Sequence, residues 1–247
     1  MSGAAQDGIL RWMWVGTVPY RIAWSLQQSL AVARRNDDID DTVLMLEHPP
    51  VFTMGRNGNT AHLGGGRESL AGLGAEFVDV DRGGSVTFHG PGQLVAYPIV
   101  KLAGLFPIPG HPAHGDVLRY LRALEQALID TAAAHGVRVE RRPPYTGVWA
   151  GNRKLAAIGV KLASGVTTHG LALNVCTDLS WFDRVVPCGI DGAEVASLRT
   201  LGSPAASPHD VAPVLASRLA AAFNEQLFES DSRTRSLVGQ KIVTVAA

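Results

Sequence analysis

A glycine-rich stretch at residues 81–100, DRGGSVTFHGPGQLVAYPIV, constrains the fold of this chain more than any other part of the sequence. The glycines at 83 and 84 and at 90 and 92 predict two tight turns that flank a short strand, Ser85–His89. The apolar run Leu94–Val100 predicts the next strand. Because backbone with so few side chains lets a ligand approach closely, we expect a binding site beside these turns.

Much of the remaining chain also predicts strands that short turns connect. Strands are expected at residues 9–15, 42–46, 77–80, 137–140, 148–149, 154–162 and 167–174, and helices at 20–34, 117–134 and 208–228. Residues 58–74 are expected to form a glycine-rich loop. Strands outnumber helices, which predicts an α+β (α/β) single domain in which a few helices cover a mixed sheet. Residues 230–247 are expected to form a loosely ordered tail, although KIVTVAA is compatible with an edge strand.

Charge and composition exclude several classes of protein. Lys plus Arg and Asp plus Glu balance at 22 each, so no excess of positive charge indicates a nucleic-acid partner. With 46% hydrophobic and 18% charged residues, the chain is not expected to be disordered. We find no apolar run of about 18 residues that would span a membrane and no secretory signal, which together predict a cytoplasmic protein with reduced thiols.

Cys188 is the first candidate for chemistry. It stands in VVPCGID between Pro187, which fixes its own φ, and Gly189, which permits a turn that other residues resist. A cysteine held on such a loop can act as a nucleophile, whereas most free cysteines are small buried core residues. Cys176, the second cysteine, is twelve residues away, so the two do not form a CxxC redox motif.

A cysteine nucleophile needs a nearby cation, because only about 3% of a thiol with an ordinary pKa near 8.5 is thiolate at pH 7. Lys154 is a candidate, since it opens the apolar strand KLAAIGVKL, where its side chain can point away from Leu155 and Ile158. Lys161, seven residues later, is expected on the opposite face. The competing interpretation places Lys154 at a solvated strand end.

Histidines and glycine turns allow further kinds of site. His89 and His169 each stand beside a glycine at the end of a predicted strand, where either a Cys–His pair or a hydrogen-bonded core histidine fits. His111 and His114 have no carboxylate or cysteine at ligand spacing, so no metal is predicted. The glycine turns match neither GxxxxGK[ST] nor GxGxxG, so they indicate a close-fitting ligand rather than a nucleotide.

Several short motifs, taken in order, resemble one family. They are EHPPVFTMGR, DRGG, HGPGQLVAYPI, TGVW, RKLAAIGV, THGLALNV and PCGI, and the resemblance covers roughly residues 14–201. Their order and spacing resemble lipoyl(octanoyl) transferase, the LipB family, also described as octanoyl-[acyl-carrier-protein]:protein N-octanoyltransferase. The resemblance implies the catalytic core shared with biotin and lipoate protein ligases, here residues 1–229, followed by the tail at 230–247.

The resemblance also implies an activity and its partners. Such an enzyme takes an octanoyl (or lipoyl) group from the thioester of acyl carrier protein and passes it to the ε-amine of a lysine on a lipoyl domain. This reaction is the first step of endogenous protein lipoylation. The acceptors implied are the lipoyl domains of 2-oxoacid dehydrogenase E2 subunits and the glycine cleavage H protein. No cofactor is implied, and neither is a nucleic-acid or membrane partner.

The family's functional residues carry over by position. Cys188 corresponds to the nucleophile that forms an acyl-enzyme thioester, and Lys154 to the partner that lowers the thiol pKa and moves protons. The acyl chain is implied to lie against Arg82, Gly83, Gly84, Ser85, Val86, Thr87, Phe88, His89, Ala157, Ile158, Gly159, Gly170, Leu171 and Ala172. Backbone N–H groups near Gly159 or Gly189 are candidates to stabilise the oxyanion, because the backbone there is flexible.

Three alternatives stay open on the sequence alone. An ATP-dependent lipoate or biotin ligase of the same fold uses a lysine on the equivalent strand and does not need Cys188. A hydrolase would combine Cys188 with His89 or His169. A lipoyl-binding or scaffold protein with an inactive site is the third alternative, and the intact Cys188 and Lys154 argue against it.

Overall fold

A mixed β-sheet forms the centre of the protein in its computed structural model. The structure describes residues 8–59, 63, 66–185, 194–205 and 207–246, so Cys188 lies outside the described residues. The strands are β1 (Gly8–Thr17), β2 (Asp41–Glu47), β3 (Val51–Met54), β4 (Glu76–Asp79), β5 (Val86–His89), β6 (Gln93–Ile99), β7 (Pro107–Ile108), β8 (His111–Gly115), β9 (Glu140–Arg142), β10 (Tyr145–Ala150), β11 (Arg153–Ala163), β12 (Val166–Asn174), β13 (Glu194–Val195) and β14 (Glu225–Glu229). The α-helices are α1 (Tyr20–Arg35), α2 (Gly66–Gly72), α3 (Leu102–Leu105), α4 (Val117–Ala134), α5 (Pro208–Phe223) and α6 (Ser232–Ala246), and short 3₁₀ helices occupy Leu179–Arg184 and Arg199–Leu201.

The large sheet combines parallel and antiparallel pairings. Its main path runs β14-β1-β2-β6-β12-β11-β10-β9, and β13 pairs with β11 beside that path. The strand β1 is parallel to both β14 and β2, whereas every further pairing from β2 to β9 along the path is antiparallel. The strands β4, β3 and β5 form a second, smaller sheet, and β7 and β8 form a hairpin. The mixed sheet predicted from the sequence is therefore confirmed.

Alternating side chains give the large sheet two buried faces. In β2, Val43 and Met45 belong to a core with residues of α4 and α5, whereas Leu44 and Leu46 belong to a core with residues of α1. All four side chains are fully buried. Helices on both faces explain why this strand is a continuous apolar run in the sequence. Among the described helices, none is long and apolar enough to cross a membrane.

The smaller sheet is joined to the 3₁₀ helix Leu179–Arg184 by aromatic packing. Phe88 of β5 stacks on Trp181 with ring centroids 5.1 Å apart and planes 5° apart. Phe52 of β3 and Phe182 complete the cluster around Phe88. These contacts hold the segment that leads toward residue 186 against β5, because aromatic rings bury a large apolar area.

Some predicted boundaries are wrong. Part of the expected loop at 58–74 forms α2, and residues 137–139 lie outside any strand. The expected helix at 208–228 ends at Phe223, because Asn224 adopts a left-handed conformation with φ +57°. The chain then enters β14, which pairs in parallel with β1. Apolar spacing continued through residue 228, so the periodicity alone did not reveal this stop.

The C-terminal region differs from the expected loose tail. Helix α6 occupies Ser232–Ala246, so the described part of KIVTVAA is helical rather than an edge strand. Val238 is 2% exposed, and Leu237 and Ile242 pack against the same core as α1. Arg233 adds a hydrogen bond of 2.8 Å to Asp38. Burial against α1 explains the helix, and the division of the chain at residue 229 stays a prediction.

Val238→Ala should lower the free energy of unfolding by about 2 kcal/mol, because it removes buried methyl groups and leaves a cavity beneath α6. The matched control is Val32→Ala on α1, where the side chain is 51% exposed, and its effect should stay below about 0.5 kcal/mol. Urea unfolding measures both variants. Equal stability of Val238→Ala and wild type would mean that α6 does not dock on α1.

Candidate active site

A cavity lies between the large sheet and the loop that precedes β5. The space within it amounts to about 480 Å³ when the open solvent at its mouth is included, and about 50 Å³ of this can hold the centre of a water molecule. Its lining contains these substrate-binding residues predicted from the sequence: Arg82, Gly83, Gly84, Ser85, Val86, Thr87, His89, Ala157, Ile158, Gly159, Gly170, Leu171 and Ala172. Tyr20, Val95, Tyr97 and His169 also line it. The fold thus brings three predicted stretches, distant in the sequence, around one space.

Phe88 is the predicted substrate-binding residue that lies outside this cavity. Side chains alternate along β5, so Thr87 and His89 line the cavity while Phe88 points the other way. Phe88 is 1% exposed and stacks on Trp181. The expected contact between Phe88 and an acyl chain therefore disagrees with its position, and its role is to pack the smaller sheet.

Two glycines leave the floor of the cavity without side chains. Gly159 and Gly170 are paired across β11 and β12. A Cβ atom at Gly170 would lie 2.1 Å from the carbonyl oxygen of Ala96, and one at Gly159 would lie 3.0 Å from Cδ of Arg82. Glycine is required at these two positions because a side chain would collide with neighbouring atoms. Neither glycine has the positive φ that would require glycine at a turn. Alanines form the neighbouring pair, Ala157 with Ala172.

Arg82 holds the loop that covers the cavity. Its side chain is buried, and Nη1 donates to the carbonyl oxygens of Ser85 (2.9 Å) and Gly83 (3.0 Å). Nη2 donates to the carbonyl and hydroxyl oxygens of Thr53 at 2.7 and 2.8 Å. The N–H of Gly83 donates to the carbonyl of Val160 (3.0 Å). A planar guanidinium can serve several acceptors at once, so this loop is tied to both sheets.

Buried histidines behind the cavity are neutral. His48 donates from Nδ1 to the carbonyl of Val18 (2.6 Å), and its Nε2 accepts from the Tyr97 hydroxyl (2.7 Å). Burial lowers the pKa of His48 to about 4. His89 donates from Nδ1 to Oε1 of Gln93 (2.8 Å), and burial, followed by the charge interactions with His48 and Arg82, lowers its pKa well below the ordinary value. Neutral rings suit an apolar cavity, because a buried charge without a partner is costly.

His169 belongs to a chain of polar contacts at the cavity wall. Its Nε2 donates to Asp81 (2.8 Å), which also accepts from Lys161 (2.5 Å), and its Nδ1 faces the Tyr20 hydroxyl at 3.4 Å. Burial lowers the pKa of His169, and the contacts with Asp81 oppose that effect. Burial disfavours ionised Asp81, but hydrogen bonds from Lys161 and His169 outweigh it and keep the pKa of Asp81 below its ordinary value. The ring nitrogens of His169 are therefore engaged within this network.

Lys154 is buried in a hollow next to the cavity. It is 7% exposed, and its Nζ lies 5.3 Å from the centroid of the Trp149 ring. Thr87, Ala157 and Ala172 line both this hollow and the cavity, so the two spaces adjoin. This burial excludes the interpretation of Lys154 as a solvated strand end. The Lys154 amine is therefore held beside the cavity and away from bulk water.

A β-bulge gives Lys154 its direction. The pairing of β11 with β10 shifts by one residue at Leu155. Leu155 and Ala156, although adjacent, both belong to the core that α4 and α5 cover, which regular alternation does not permit. The extra residue lets Lys154 share a face with Ala157, on the side of the cavity. The alternation used in the sequence analysis did not reveal this bulge.

Two described residues on either side of the segment that contains Cys188 lie beside Lys154. Phe182 before the segment and Val195 after it line the same hollow as Lys154. Val195 is paired with Lys154, and the N–H of Ala196 donates to the Lys154 carbonyl (2.9 Å). Cys188 and Gly189 lie outside the described residues, so the Cys188–Lys154 pair and the oxyanion donors stay predictions.

Sequence reasoning missed part of the cavity wall. Tyr20 stands at the start of α1 and belongs to no recognised motif, so only the fold reveals it. Tyr97 lies in the HGPGQLVAYPI motif two residues after Val95, and both line the cavity. The period-two pattern of a strand was the signal that could have found this pair.

Comparison with known proteins decides the family. The profile described as the lipoyl protein ligase A/B catalytic domain matches residues 19–220. The chain is 52% identical over 190 residues to an octanoyltransferase of Rubrobacter xylanophilus. The aligned region covers 76% of this chain and 81% of that protein. An octanoyltransferase of Solibacter usitatus is 47% identical over 188 residues, covering 76% and 81% of the two chains. The chain belongs to the lipoyl protein ligase A/B family. Its resemblance to the octanoyltransferases of this family, predicted from the motifs, is confirmed.

Solved structures of the family share its fold. A lipoate-protein ligase A bound with ATP superposes with a TM-score of 0.72 at 15% identity, over 96% of this chain and 95% of that chain. A biotin protein ligase from Aquifex aeolicus in complex with biotin and ATP gives a TM-score of 0.50 at 13% identity, over 86% and 70% of the two chains. Identities this low establish the fold alone. The predicted single domain of mixed α/β structure, like the ligase catalytic core, is confirmed.

The neutral state of His48 predicts that stability falls in acid. Its folded pKa lies below the unfolded value of about 6.5, so the folded state resists protonation and loses stability as the pH falls through this range. Between about pH 7 and about pH 5 the loss from His48 alone should be about 2 kcal/mol. Urea unfolding at both pH values measures it. His48→Gln should show a smaller loss over this interval, and an unchanged pH dependence in that variant would contradict the assignment.

Proposed function

We propose that this protein is an octanoyltransferase of the lipoylation system. It takes an octanoyl (or lipoyl) group from acyl carrier protein and passes it to a lysine on a lipoyl domain, through a thioester on Cys188. The observation that carries this proposal is the 52% identity, over about three-quarters of the chain, to a protein named octanoyltransferase. The acceptors are the lipoyl domains of 2-oxoacid dehydrogenase E2 subunits and the glycine cleavage H protein, and the reaction takes place in the cytoplasm.

The shape and lining of the cavity support an acyl substrate. Apolar side chains and glycines form much of its wall, and the two pairs Ala157–Ala172 and Gly159–Gly170 leave space above β11 and β12. A hydrocarbon chain gains free energy when it leaves water for such a surface. The histidines at and behind the wall are hydrogen-bonded to protein groups, so they do not require a hydrogen bond from the acyl chain.

The position of Lys154 supports a reactive end at one side of the cavity. Its hollow adjoins the cavity at Thr87, Ala157 and Ala172, so an acyl chain in the cavity can present its carbonyl carbon toward this side. Phe182 and Val195, which lie on either side of the segment 186–193, line the same hollow. Their position is compatible with a nucleophile carried on the intervening segment.

The proposed reaction has two steps. The Cys188 thiolate attacks the carbonyl carbon of the octanoyl thioester, the carrier's thiolate leaves and takes up the proton of Lys154, and an octanoyl-Cys188 thioester and a neutral Lys154 amine remain. The neutral ε-amine of the acceptor lysine then attacks this thioester, the Cys188 thiolate leaves, and the surplus proton of the new amide passes to Lys154. Exchange between two thioesters is nearly isoenergetic and aminolysis is downhill, so ATP is not consumed.

The geometry argues against a Cys–His hydrolase. Nδ1 of His89 is bonded to Gln93 and its Nε2 lies 3.5 Å from the Thr53 hydroxyl, while His169 faces Asp81 and Tyr20. A histidine whose nitrogens are engaged in this way is poorly placed to take a thiol proton. The ATP-dependent ligase reading rests on a shared fold, which does not determine the reaction.

The first test is the intact mass of the protein after mixing with octanoyl-acyl carrier protein in the absence of ATP. We expect a gain of one octanoyl group, which a lipoyl domain then removes. Cys188→Ala should show no adduct, and the matched control Cys176→Ala should acylate like wild type. Modification of the lipoyl domain only when octanoate and ATP are supplied would instead indicate a ligase, and free octanoate without acceptor would indicate a hydrolase.

Lys154→Met should slow acylation by at least a hundredfold, because the Cys188 thiol loses its cation and the acceptor amine loses its base. Lys101→Met is the matched control, since Lys101 pairs with Asp37 away from the cavity. The rate of iodoacetamide alkylation against pH, in a Cys176→Ala background, reports the Cys188 pKa. We expect this pKa to rise in Lys154→Met only. An ordinary thiol pKa in the protein with Lys154 intact would remove the basis for the pairing.

A further inference from the structure

The cavity extends along β12 away from Lys154 as far as His169, and this remote end bears on substrate length. We infer that the paired side chains of Tyr20 and His169 form a wall that stops the acyl chain and thereby sets its maximum length. The inference rests on the proposed function, because it takes the acyl carbonyl to lie on the Lys154 side. The residues concerned are specificity-determining residues rather than catalytic ones.

The direction of the cavity follows from its lining. Thr87, Ala157 and Ala172 are shared with the Lys154 hollow and therefore mark the near end. The lining then continues along β12 through Leu171 and Gly170 to His169. Along β11 it continues from Ala157 to Gly159 in the antiparallel partner. The cavity thus extends along the two strands, away from Lys154.

The length of this run matches an eight-carbon chain. From Ala172 to His169 there are three residues along β12, and a strand rises about 3.3 Å per residue, so the run measures about 10 Å. An extended octanoyl group, with carbon–carbon bonds of about 1.5 Å in the staggered all-trans form, measures about 9 Å from the carbonyl carbon to the methyl. A twelve-carbon chain measures about 14 Å on the same basis and would overrun the wall.

The width of the cavity changes abruptly at the wall. The near part is bordered by alanine and glycine pairs, which add little or no side chain. Beyond the glycine pair, the next residue of β12 is His169, and its Nδ1 lies 3.4 Å from the hydroxyl of Tyr20, which also lines the cavity. The Trp24 ring lies behind them, with its centroid 6.0 Å from that of His169. A chain that follows the small residues therefore meets aromatic rings.

The wall is held too firmly to move aside at low cost. His169 has a left-handed backbone (φ +56°), and its N–H donates to Oε1 of the buried Gln27 (2.7 Å). Its ring is tied to Asp81, which Lys161 holds in turn. Tyr20 is 2% exposed, and its ring stacks at 5.9 Å on that of His89. Movement of either ring would break buried hydrogen bonds or dense packing.

The polar groups of the wall also suit a methyl terminus. The donor on Nε2 of His169 is used by Asp81, and the Tyr20 hydroxyl points at Nδ1 of the same ring. A hydrocarbon end offers no hydrogen bond, so a wall whose polar groups are already engaged accepts it without leaving a group unsatisfied.

The experiment compares transfer rates for octanoyl-, decanoyl- and dodecanoyl-acyl carrier protein to a lipoyl domain. For wild type we expect kcat/KM to fall at least tenfold from octanoyl to dodecanoyl, because the longer chain does not fit. Tyr20→Leu removes the aromatic ring from the wall, so the ratio of kcat/KM for dodecanoyl to kcat/KM for octanoyl should rise at least tenfold. Tyr20→Phe keeps the ring and should leave the ratio within about twofold of wild type.

The matched control is Tyr120→Leu. Tyr120 is fully buried like Tyr20, but it packs in the opposite core, against Phe106 and Phe223. This variant loses the same side-chain volume and should keep the wild-type chain-length ratio even if its rates fall. A rise of the ratio in Tyr120→Leu equal to that in Tyr20→Leu would show loosened packing in general and overturn the assignment of the wall.

The wild-type profile keeps the inference testable even if Tyr20→Leu does not fold. Equal transfer of octanoyl and dodecanoyl groups by wild type would mean that no wall exists. Failure of the proposed function itself gives a different result, in which wild type forms no acyl-enzyme with any donor. The two failures are therefore distinguishable in the same set of reactions.

Discussion

The antiparallel ladder between β11 and β12 is the constraint on which the candidate site depends. It pairs Ala157 with Ala172 and Gly159 with Gly170, so that four small residues share one face. A slip of one residue would turn this face over and place Ile158 and Leu171 where the glycines are. Both strands lie inside the large sheet with neighbours on either side, and burial on two faces prevents such a slip. The same ladder also sets the positions of Lys154 and His169 relative to each other.

Around this ladder, polar side chains replace the hydrogen bonds that loops would otherwise make with water. Arg82 binds the carbonyls of its own loop and of Thr53, and Asp81 joins Lys161 to His169. Each contact is buried or partly buried, so breaking it leaves a group without a partner at a cost of roughly 1–3 kcal/mol. An apolar cavity can therefore lie next to several histidines. Their rings are neutral, and their ring nitrogens form hydrogen bonds with other protein groups rather than with a ligand. Such a network also preorganises the cavity before a substrate enters.

Fold and family carry different information about this protein. A lipoate-protein ligase bound with ATP shares the architecture at 15% identity, so the sheet and its helices do not identify the reaction. The motifs that the chain shares with octanoyltransferases concentrate at the turns before and after β5, on β11 and β12 and in PCGI. The positions beside β5 and on β11 and β12 surround the cavity and the Lys154 hollow in the structure, whereas PCGI lies outside the described residues. A shared scaffold can therefore carry different reactions, and the proposed reaction here depends on a small set of side chains.

The sequence by itself determined the core strands, the helices α1 and α4 and three of the stretches that line the cavity. These features follow from local signals: apolar periodicity, glycine turns, the Asp116 cap of α4 and a characteristic order of motifs. Only the tertiary structure decided the far wall at Tyr20 and His169, the direction of Lys154 and the helix α6. The direction of Lys154 depends on a bulge at Leu155, which is a departure from regular strand pairing. The contact of Tyr20 with His169 and the burial of Val238 against α1 each join residues that are distant in the sequence. No local pattern encodes them, because their free energy arises when separate elements pack together.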